Sequence, residues 1–183
     1  KNTAQKQFSE LLAALDAYPT HQVIFTGANA DAGGRIINQM QEDYREIHPD
    51  RCLVVPTLGS LRYLSAMKLC DAVVGNSSSG MIEAPALRVP AVNIGDRQKG
   101  RLRPGNVIDC KPEKQAILDA LKTACDPCFL ADLSRTALLF EKPDTAKNIK
   151  KILEQADLNS IMKKQFYDIA YQVPSDQGMQ VKK

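Results

Sequence analysis

The feature that most constrains the fold is a series of short apolar segments that alternate with stretches of helical periodicity. Four of the segments have the composition of buried strands: Val23–Thr26, Leu53–Val55, Ala72–Gly75 and Ala91–Ile94. A shorter strand is predicted at Asn106–Asp109. Strands that are apolar along their whole length are typical of parallel sheets covered on both faces. Because crossover connections are right-handed, we predict an α/β fold with a single doubly wound, Rossmann-like parallel sheet.

The stretches between these strands have the apolar spacing of helices. They are Lys1–Ala17, Gly33–Glu46, Leu58–Cys70, Ser77–Leu87 and Glu113–Cys125. A further helix is predicted after Asp144, which can cap it, with a buried stripe of Thr145, Ile149, Ile152, Leu153 and Ala156. Periodicity is lost towards the end of the chain. We therefore predict one domain over residues 1–171 and a flexible tail over residues 172–183.

Composition narrows the class of protein. The chain has 183 residues, of which 44% are hydrophobic, and a formal net charge of +3. This mild charge does not indicate a nucleic-acid partner. No apolar run reaches the ~18 to 20 residues of a membrane span, so we expect no membrane partner. The cysteines number 5, an odd count, and are scattered, which fits a reducing, cytoplasmic compartment better than a disulfide framework.

Two features that suggest metal or acid–base chemistry are weak. Cys125 and Cys128 have CxxC spacing, but no second pair completes a zinc site, and we predict a helix end with two buried thiols. His21 and His48 lie next to helix ends and lack a catalytic companion in the sequence. We therefore expect no metal site and assign no catalytic residue in this chain.

A run of small hydroxyl residues, Gly75-Asn-Ser-Ser-Ser-Gly80, follows the third predicted strand and opens a helix. Ligands of open α/β sheets bind at the carboxyl ends of the strands. The free N–H groups and the dipole of a helix start favour a phosphate. The alternative is a plain serine N-cap, which requires only one of the serines. Glu83, about a turn further on, can accept hydrogen bonds from a ribose diol or can complement the helix dipole.

A basic segment, Gly95–Arg103, follows the fourth predicted strand. It contains Arg97, Lys99, Arg101 and Arg103. A flexible basic loop at that edge of the sheet suits an anionic ligand. A solvated surface charge run is the alternative.

The segment after the first predicted strand, Gly27–Gly34, is also polar. Asn29 and Asp31 can hydrogen-bond a polyol, or they can build a turn. The paired glycines at its end, Gly33 and Gly34, predict tight packing or a positive φ.

Several strings in these segments, taken together, resemble one known family. They are Asn29–Arg35, Leu58–Leu64, Gly75–Pro85 and Ile94–Arg101. In combination they resemble the hydrolysing UDP-N-acetylglucosamine 2-epimerases of sialic-acid biosynthesis, over roughly residues 1–171. The non-hydrolysing epimerases share the fold and the Glu-Ala-Pro region but differ around the serines and the basic loop.

The resemblance implies a fold and a site. Family members fold as two Rossmann-like domains that face each other across a cleft, the glycosyltransferase-B arrangement, and UDP lies mainly against the C-terminal domain, to which this chain corresponds. By the same resemblance, Ser77, Ser78, Ser79 and Gly80 match the diphosphate site. Asn29 matches a position near the sugar diphosphate, and Arg97 matches the mobile basic loop. Glu83 matches the residue at the ribose hydroxyls.

The resemblance also implies a reaction. Anti elimination of UDP leaves 2-acetamidoglucal, and addition of water gives N-acetylmannosamine, so that no nicotinamide or metal cofactor is needed. Family members carry a His-Pro segment before the helix that opens this chain, and their catalytic carboxylates lie in the N-terminal domain. Neither is found at the matching positions here, since the one His-Pro pair of the sequence, His48-Pro49, follows a later predicted helix. We therefore expect a UDP-binding platform that is inactive alone, with its own N-terminal domain as partner and a homo-oligomer as the full-length enzyme.

Other functions fit the same residues. An epimerase for a UDP-diacetamido-dideoxy sugar has the same nucleotide site. A non-catalytic nucleotide-sugar-binding domain is a second alternative. The C-terminal domain of a glycosyltransferase of this architecture is a third, although its phosphate-binding pattern usually differs.

Overall fold

The computed structural model describes residues 3–29, 33–133, 135 and 138–158. The chain divides into two compact units, Lys1–Glu141 and Lys142–Lys183. The helices and strands of the described residues are α1 Thr3–Leu15, β1 Val23–Thr26, α2 Gly34–Ile47, β2 Cys52–Val55, α3 Gly59–Leu69, β3 Val73–Gly75, α4 Ser79–Ala86, β4 Ala91–Ile94, β5 Val107–Cys110, α5 Lys114–Ala124, α6 Pro127–Leu133 and α7 Thr145–Gln155. None of these helices is long and apolar enough to cross a membrane.

The strands of the first unit pair in parallel, which confirms the α/β, Rossmann-like class. They form two hydrogen-bonded ladders, β1-β2 and β3-β4-β5. Val23 lies opposite Cys52 in the first ladder, and Ala91 lies opposite both Val73 and Val107 in the second. The prediction of a single sheet is therefore wrong for the described strands. Its error has a physical reason, since an apolar strand reports its own burial but does not specify its neighbour.

Helix α1 packs against both ladders. Its Leu11 is buried in the core that β4 and α5 form around Val92 and Ile117. Phe8 and Leu15 contact this core and also the separate cluster that surrounds Phe25 of β1. One helix thus supplies apolar contacts to both sets of strands, and burial of its side chains stabilises both.

Helix α4 is fixed tightly to the second ladder. A Cβ on Gly80 would lie 3.1 Å from the Cβ of Ala91, so the helix approaches the strand as closely as a glycine permits. Asn106, which is 1% exposed, donates from Nδ2 to the carbonyls of Gly80 at 3.1 Å and Val89 at 2.9 Å. These two bonds hold the first turn of α4 and the segment that follows the helix, and so help to set its position on the sheet.

Helix α6 was not predicted, and it follows Cys125 and contains Cys128, the two cysteines with CxxC spacing. Pro127 is its first residue, and Asp126 Oδ1 accepts from the backbone N–H groups of Cys128 at 2.8 Å and Phe129 at 3.2 Å. A capping aspartate followed by proline is a strong helix start. Cys125 and Cys128 are both exposed, so the prediction of two buried thiols is wrong.

The second unit contains α7, where the predicted helix is confirmed but its burial is not. Asp144 occupies the N-cap position, yet its side chain makes no capping hydrogen bond. Ile149, Ile152 and Leu153 are 52%, 67% and 67% exposed, so the predicted buried stripe is wrong. Periodicity shows that a helix has an apolar face but does not show what covers it. The predicted tail, residues 172–183, and the last part of the predicted domain, residues 159–171, lie outside the described residues.

Candidate functional site

The serine turn, residues 76–79, connects the carboxyl end of β3 to the start of α4. Gly75 ends the strand with a φ of 143°, a value that suits glycine. Ser78 occupies the N-cap position without a side-chain capping bond, while Ser77 Oγ accepts from the N–H of Ser79 at 3.3 Å. The serine run therefore lies at a helix N-terminus, as predicted, and the residue at the N-cap position, Ser78, makes no side-chain capping bond.

Helix α3 holds the serine turn from one side. Ser79 is 8% exposed, and the hydroxyl of Tyr63 donates to its Oγ at 2.9 Å. Tyr63 lies in the segment Leu58–Leu64, and no role was predicted for it. No local signal identifies this contact, because it joins two helices that are separate in the sequence.

The basic loop, Gly95–Arg103, holds the serine turn from the other side. Gln98 Nε2 donates to the carbonyl of Asn76 at 2.7 Å, and Arg97 Nη1 lies 3.5 Å from Asn76 Oδ1. The structure thus brings together two segments that sequence analysis placed at the same sheet edge. Arg103, the last residue of the loop, forms an ion pair with Asp109 of β5.

Buried oxygen atoms without hydrogen-bond partners are concentrated around α4. Among the described residues they include Glu83 Oε2 in α4, Asn93 Oδ1 in β4, Gln98 Oε1 in the basic loop and Asn106 Oδ1 just before β5. The remaining one is Gln41 Oε1, in α2. A buried acceptor without a donor costs free energy, so such a concentration requires an explanation.

A small cavity lies beneath the serine turn. Gly75, Ser77, Gly80 and Asn93 contribute to its lining, together with apolar side chains of the three strands of the second ladder. Because the lining also includes Val73, Ala91 and Val107, the first residues of their strands, the cavity extends along the face of the second ladder, and only its Gly75 and Ser77 side borders the serine turn.

Asn29 follows β1 and so belongs to the other ladder. Among the described residues, no hydrogen bond connects it to the serine turn or the basic loop. A Cβ on Gly34 would lie 2.0 Å from the carbonyl oxygen of Asn29, and Gly33 has a φ of 104°. The prediction of tight packing and positive φ at this glycine pair is therefore confirmed. Asp31 lies outside the described residues.

A second polar group, the amino-end cluster, consists of Asp16, Tyr44, His48 and Arg51 at the amino ends of β1 and β2. Tyr44 donates to Asp16 Oδ1 at 2.9 Å, and His48 Nε2 lies 3.4 Å from the same oxygen. Burial and the hydrogen bond to Asp16 raise the pKa of Tyr44 to about 12. The cluster joins elements of the fold and lies at the ends of the strands opposite to the serine turn. In the described part of the chain, no three His, Cys, Asp or Glu side chains are grouped closely enough to hold a metal ion.

Comparison with known proteins gives consistent matches. The family model for UDP-N-acetylglucosamine 2-epimerase matches residues 1–154. The hydrolysing GDP/UDP-N,N'-diacetylbacillosamine 2-epimerase of Campylobacter jejuni is 38% identical over 174 residues, which cover 92% of this chain and 44% of that protein. The polysialic acid biosynthesis protein P7 of Escherichia coli is 37% identical over 166 residues, covering 89% and 42%.

A third relative matches a shorter region. The UDP-N-acetylglucosamine 2-epimerase of Neisseria meningitidis is 33% identical over 97 residues, covering 53% of this chain and 25% of that protein. The chain thus spans less than half the length of the relatives that match most of it. The parallel α/β ladders, the serine turn at the start of α4 and the family match over residues 1–154 agree, and the chain belongs to the UDP-N-acetylglucosamine 2-epimerase family.

Proposed function

We propose that this chain is the UDP-binding half of a hydrolysing UDP-N-acetylglucosamine 2-epimerase, which converts UDP-N-acetylglucosamine to N-acetylmannosamine and UDP. The observation that carries the proposal is the buried Oε2 of Glu83, which has no hydrogen-bond partner among the described residues and lies in the helix that follows the serine turn, where Asn76 is joined to the basic loop. Uridine diphosphate offers a hydroxyl pair that can donate and an anionic group that requires donors and cations. The two parts of the site match these two parts of the ligand.

In this proposal the diphosphate lies at the serine turn. Ser77, Ser78, Ser79 and Gly80 supply hydroxyl and backbone N–H donors at the start of α4, where the helix dipole favours an anion. Arg97 supplies a cation from the basic loop, and its charge-assisted hydrogen bonds are the stronger kind. Because negative charge develops on UDP as its bond to the sugar breaks, these groups stabilise the departing diphosphate. We assign Asn29 to the sugar diphosphate of the same ligand, as the resemblance implies.

Glu83 is assigned to the ribose. A carboxylate oxygen that is buried without a donor is unfavourable for the fold, and a ligand hydroxyl that donates to it offsets that cost. A ribose diol carries two such donors on adjacent carbons. Binding of the nucleoside therefore satisfies an acceptor that the described residues leave without a partner.

The proposed reaction balances without a redox cofactor. The bond between C1 of the sugar and the diphosphate oxygen breaks, the C2 proton is removed, and 2-acetamidoglucal and UDP result. Water then adds its hydroxyl to C1, and a proton returns to C2 on the opposite face, which gives N-acetylmannosamine. In our assignment this chain binds UDP and stabilises the leaving group, whereas the base at C2 comes from a second domain.

A second candidate substrate is a UDP-linked diacetamido sugar. It is favoured by the similarity to the GDP/UDP-N,N'-diacetylbacillosamine 2-epimerase of Campylobacter jejuni, which matches 92% of this chain. The nucleotide half of the ligand, and thus every contact proposed above, is the same for both substrates. Comparing turnover of the two sugar nucleotides by the complete enzyme discriminates between them.

The test of the ribose assignment is Glu83→Ala with two ligands. We expect Kd for UDP to rise about tenfold or more, because a charge-assisted hydrogen bond is lost, while Kd for inorganic diphosphate stays the same. Isothermal titration calorimetry measures both. Glu113→Ala, at the exposed N-cap position of α5, is the matched control and should change neither. Equal losses for the two ligands would contradict the assignment.

We propose that this chain binds UDP and that a second domain supplies the base at C2, and turnover by this chain alone tests this assignment. The purified 183-residue chain should release neither UDP nor N-acetylmannosamine from UDP-N-acetylglucosamine above background, although UDP binds. General acid–base catalysis contributes roughly 10²–10⁴-fold, and the positioning of the closed site adds to this. Robust turnover by this chain alone would show that the catalytic residues are within it.

A further inference from the structure

The basic loop contains one side chain that faces inward. Gln98 is 3% exposed, whereas its neighbours Arg97 and Lys99 are exposed. Gly95 and Gly100 adopt φ values of 76° and 85°, which allow the chain to reverse on either side of Gln98. Its Nε2 donates to the carbonyl of Asn76 at 2.7 Å, so a neutral amide anchors a cationic loop.

Stability alone does not explain a glutamine at this position. Its side chain makes one hydrogen bond to Asn76, and its Oε1 is buried without a partner among the described residues. The cost of an unsatisfied buried acceptor equals or exceeds the net gain from one hydrogen bond. An apolar side chain of the same size would serve the fold at least as well. What only the amide provides is a fixed connection between the basic loop and the backbone of the serine turn.

We propose that Gln98 is a positioning residue that holds the basic loop against the serine turn, so that the two bind a diphosphate as one unit. The proposal rests on the proposed UDP site and concerns how its anionic half is assembled. The connection passes through Asn76, whose carbonyl accepts from Gln98 and whose Oδ1 lies 3.5 Å from Nη1 of Arg97. Tyr63 holds Ser79 from the α3 side and provides a matched control, because its bond does not involve the loop.

The first experiment compares Gln98→Met with Tyr63→Phe. Gln98→Met should unfold within about 3 °C of the wild type, because the apolar side chain fills the same space. Its Kd for UDP and for inorganic diphosphate should rise about tenfold, while Kd for uridine stays within about twofold. The salt dependence of its diphosphate binding should also weaken, since the cations no longer act with the turn. Tyr63→Phe should keep the salt dependence of the wild type.

Two results would overturn this role. One is diphosphate binding by Gln98→Met with wild-type affinity and salt dependence. The other is an equal loss of UDP and uridine, which indicates general damage to the site. If the wild-type chain binds neither UDP nor diphosphate, both the proposed function and this role of Gln98 are overturned. If the wild type binds both ligands and Gln98→Met binds them equally well, only the role of Gln98 is overturned.

A second experiment needs no variant and so does not depend on the folding of Gln98→Met. Hydrogen–deuterium exchange of the wild-type chain is measured with inorganic diphosphate and with uridine. We expect diphosphate to protect the amides of residues 76–79 and 95–101 together, and uridine to protect neither segment. Protection of the serine turn without the loop would overturn the coupling that we assign to Gln98.

Discussion

The amino-end cluster and the region around the serine turn are both polar, but they differ in how completely their hydrogen bonds are formed. In the amino-end cluster, Arg51 donates to the hydroxyl of Tyr44 and to the carbonyls of Leu15, Tyr18 and His21. Around α4, by contrast, several buried oxygens, among them Glu83 Oε2, have no donor in the described part of the chain. The described residues thus contain one polar group that is saturated from within the chain and one that is not.

We use this difference to distinguish polar groups that stabilise the fold from polar groups that bind a ligand. A buried polar group whose partners are all within the chain contributes to stability, and its removal leaves other groups unsatisfied. A group with free acceptors is unfavourable for folding and becomes favourable when a ligand supplies donors. We therefore expect substitutions at the amino-end cluster to affect unfolding, and substitutions around the serine turn to affect ligand binding.

The largest effect is expected from Arg51→Met. The substitution leaves three carbonyls and a tyrosine hydroxyl without their donor, so the free energy of unfolding should fall by about 3 kcal/mol. Urea denaturation measures it. Arg45→Met, whose ion pair with Glu42 is on the surface, should have no measurable effect. Kd for UDP should be unchanged in both variants under conditions where they are folded; a selective loss of UDP binding in Arg51→Met would break the comparison.

A smaller effect is expected from the ionisation of Tyr44. Burial and the hydrogen bond to Asp16 raise its pKa from 10.0 to about 12, so the folded state keeps the phenol protonated where the unfolded state ionises. Its contribution to stability is therefore complete below pH 10 and is lost as the pH rises towards about 12. Across that window the wild type should lose about 2 kcal/mol more than Tyr44→Phe. Parallel losses in the two proteins would contradict the assigned pKa.

The smallest effect concerns salt. Raising NaCl from about 50 mM to about 500 mM should increase Kd for UDP about fivefold and leave Kd for uridine within about twofold, because only the diphosphate meets the exposed cations of the basic loop. The hydrogen bonds of Arg51 to carbonyls predict little change in unfolding free energy over the same range. Titration calorimetry measures the two Kd values, and urea denaturation measures the free energy of unfolding. Equal salt dependence for UDP and uridine would remove the basis for placing the diphosphate at the loop.

Sequence patterns predicted the elements better than their assembly. The apolar segments located β1 to β5 within a residue or so, since burial between layers leaves a direct mark on composition. Composition does not indicate which strands pair with each other. The structure has two ladders where a single sheet was predicted. Helix α6 was not predicted because its start depends on a local cap, Asp126 followed by Pro127, and a helix of 7 residues has too short an apolar pattern to be recognised. The exposed face of α7 was misjudged because periodicity does not identify a partner.

In the candidate site, too, the positions of the segments were predicted but the contacts between them were not. The serines and the basic loop were predicted to lie at one sheet edge because each follows a strand of the second ladder. The contacts that hold the serine turn, from Gln98 of the basic loop to Asn76 and from Tyr63 of α3 to Ser79, connect segments distant in sequence. Neither has a local sequence signal. The lack of a donor for Glu83 is equally invisible in the sequence, because it depends on what surrounds the side chain.

The central claim is that the unsatisfied acceptors around α4 serve a ligand and not the fold. The most direct test measures the free energy of unfolding and the Kd for UDP of Glu83→Met in the same preparation. We expect Kd to rise about tenfold or more, while the free energy of unfolding is unchanged or higher by up to about 1 kcal/mol, because a buried acceptor without a donor has been removed. A variant that loses more than about 1 kcal/mol of stability and binds UDP like the wild type would contradict the account.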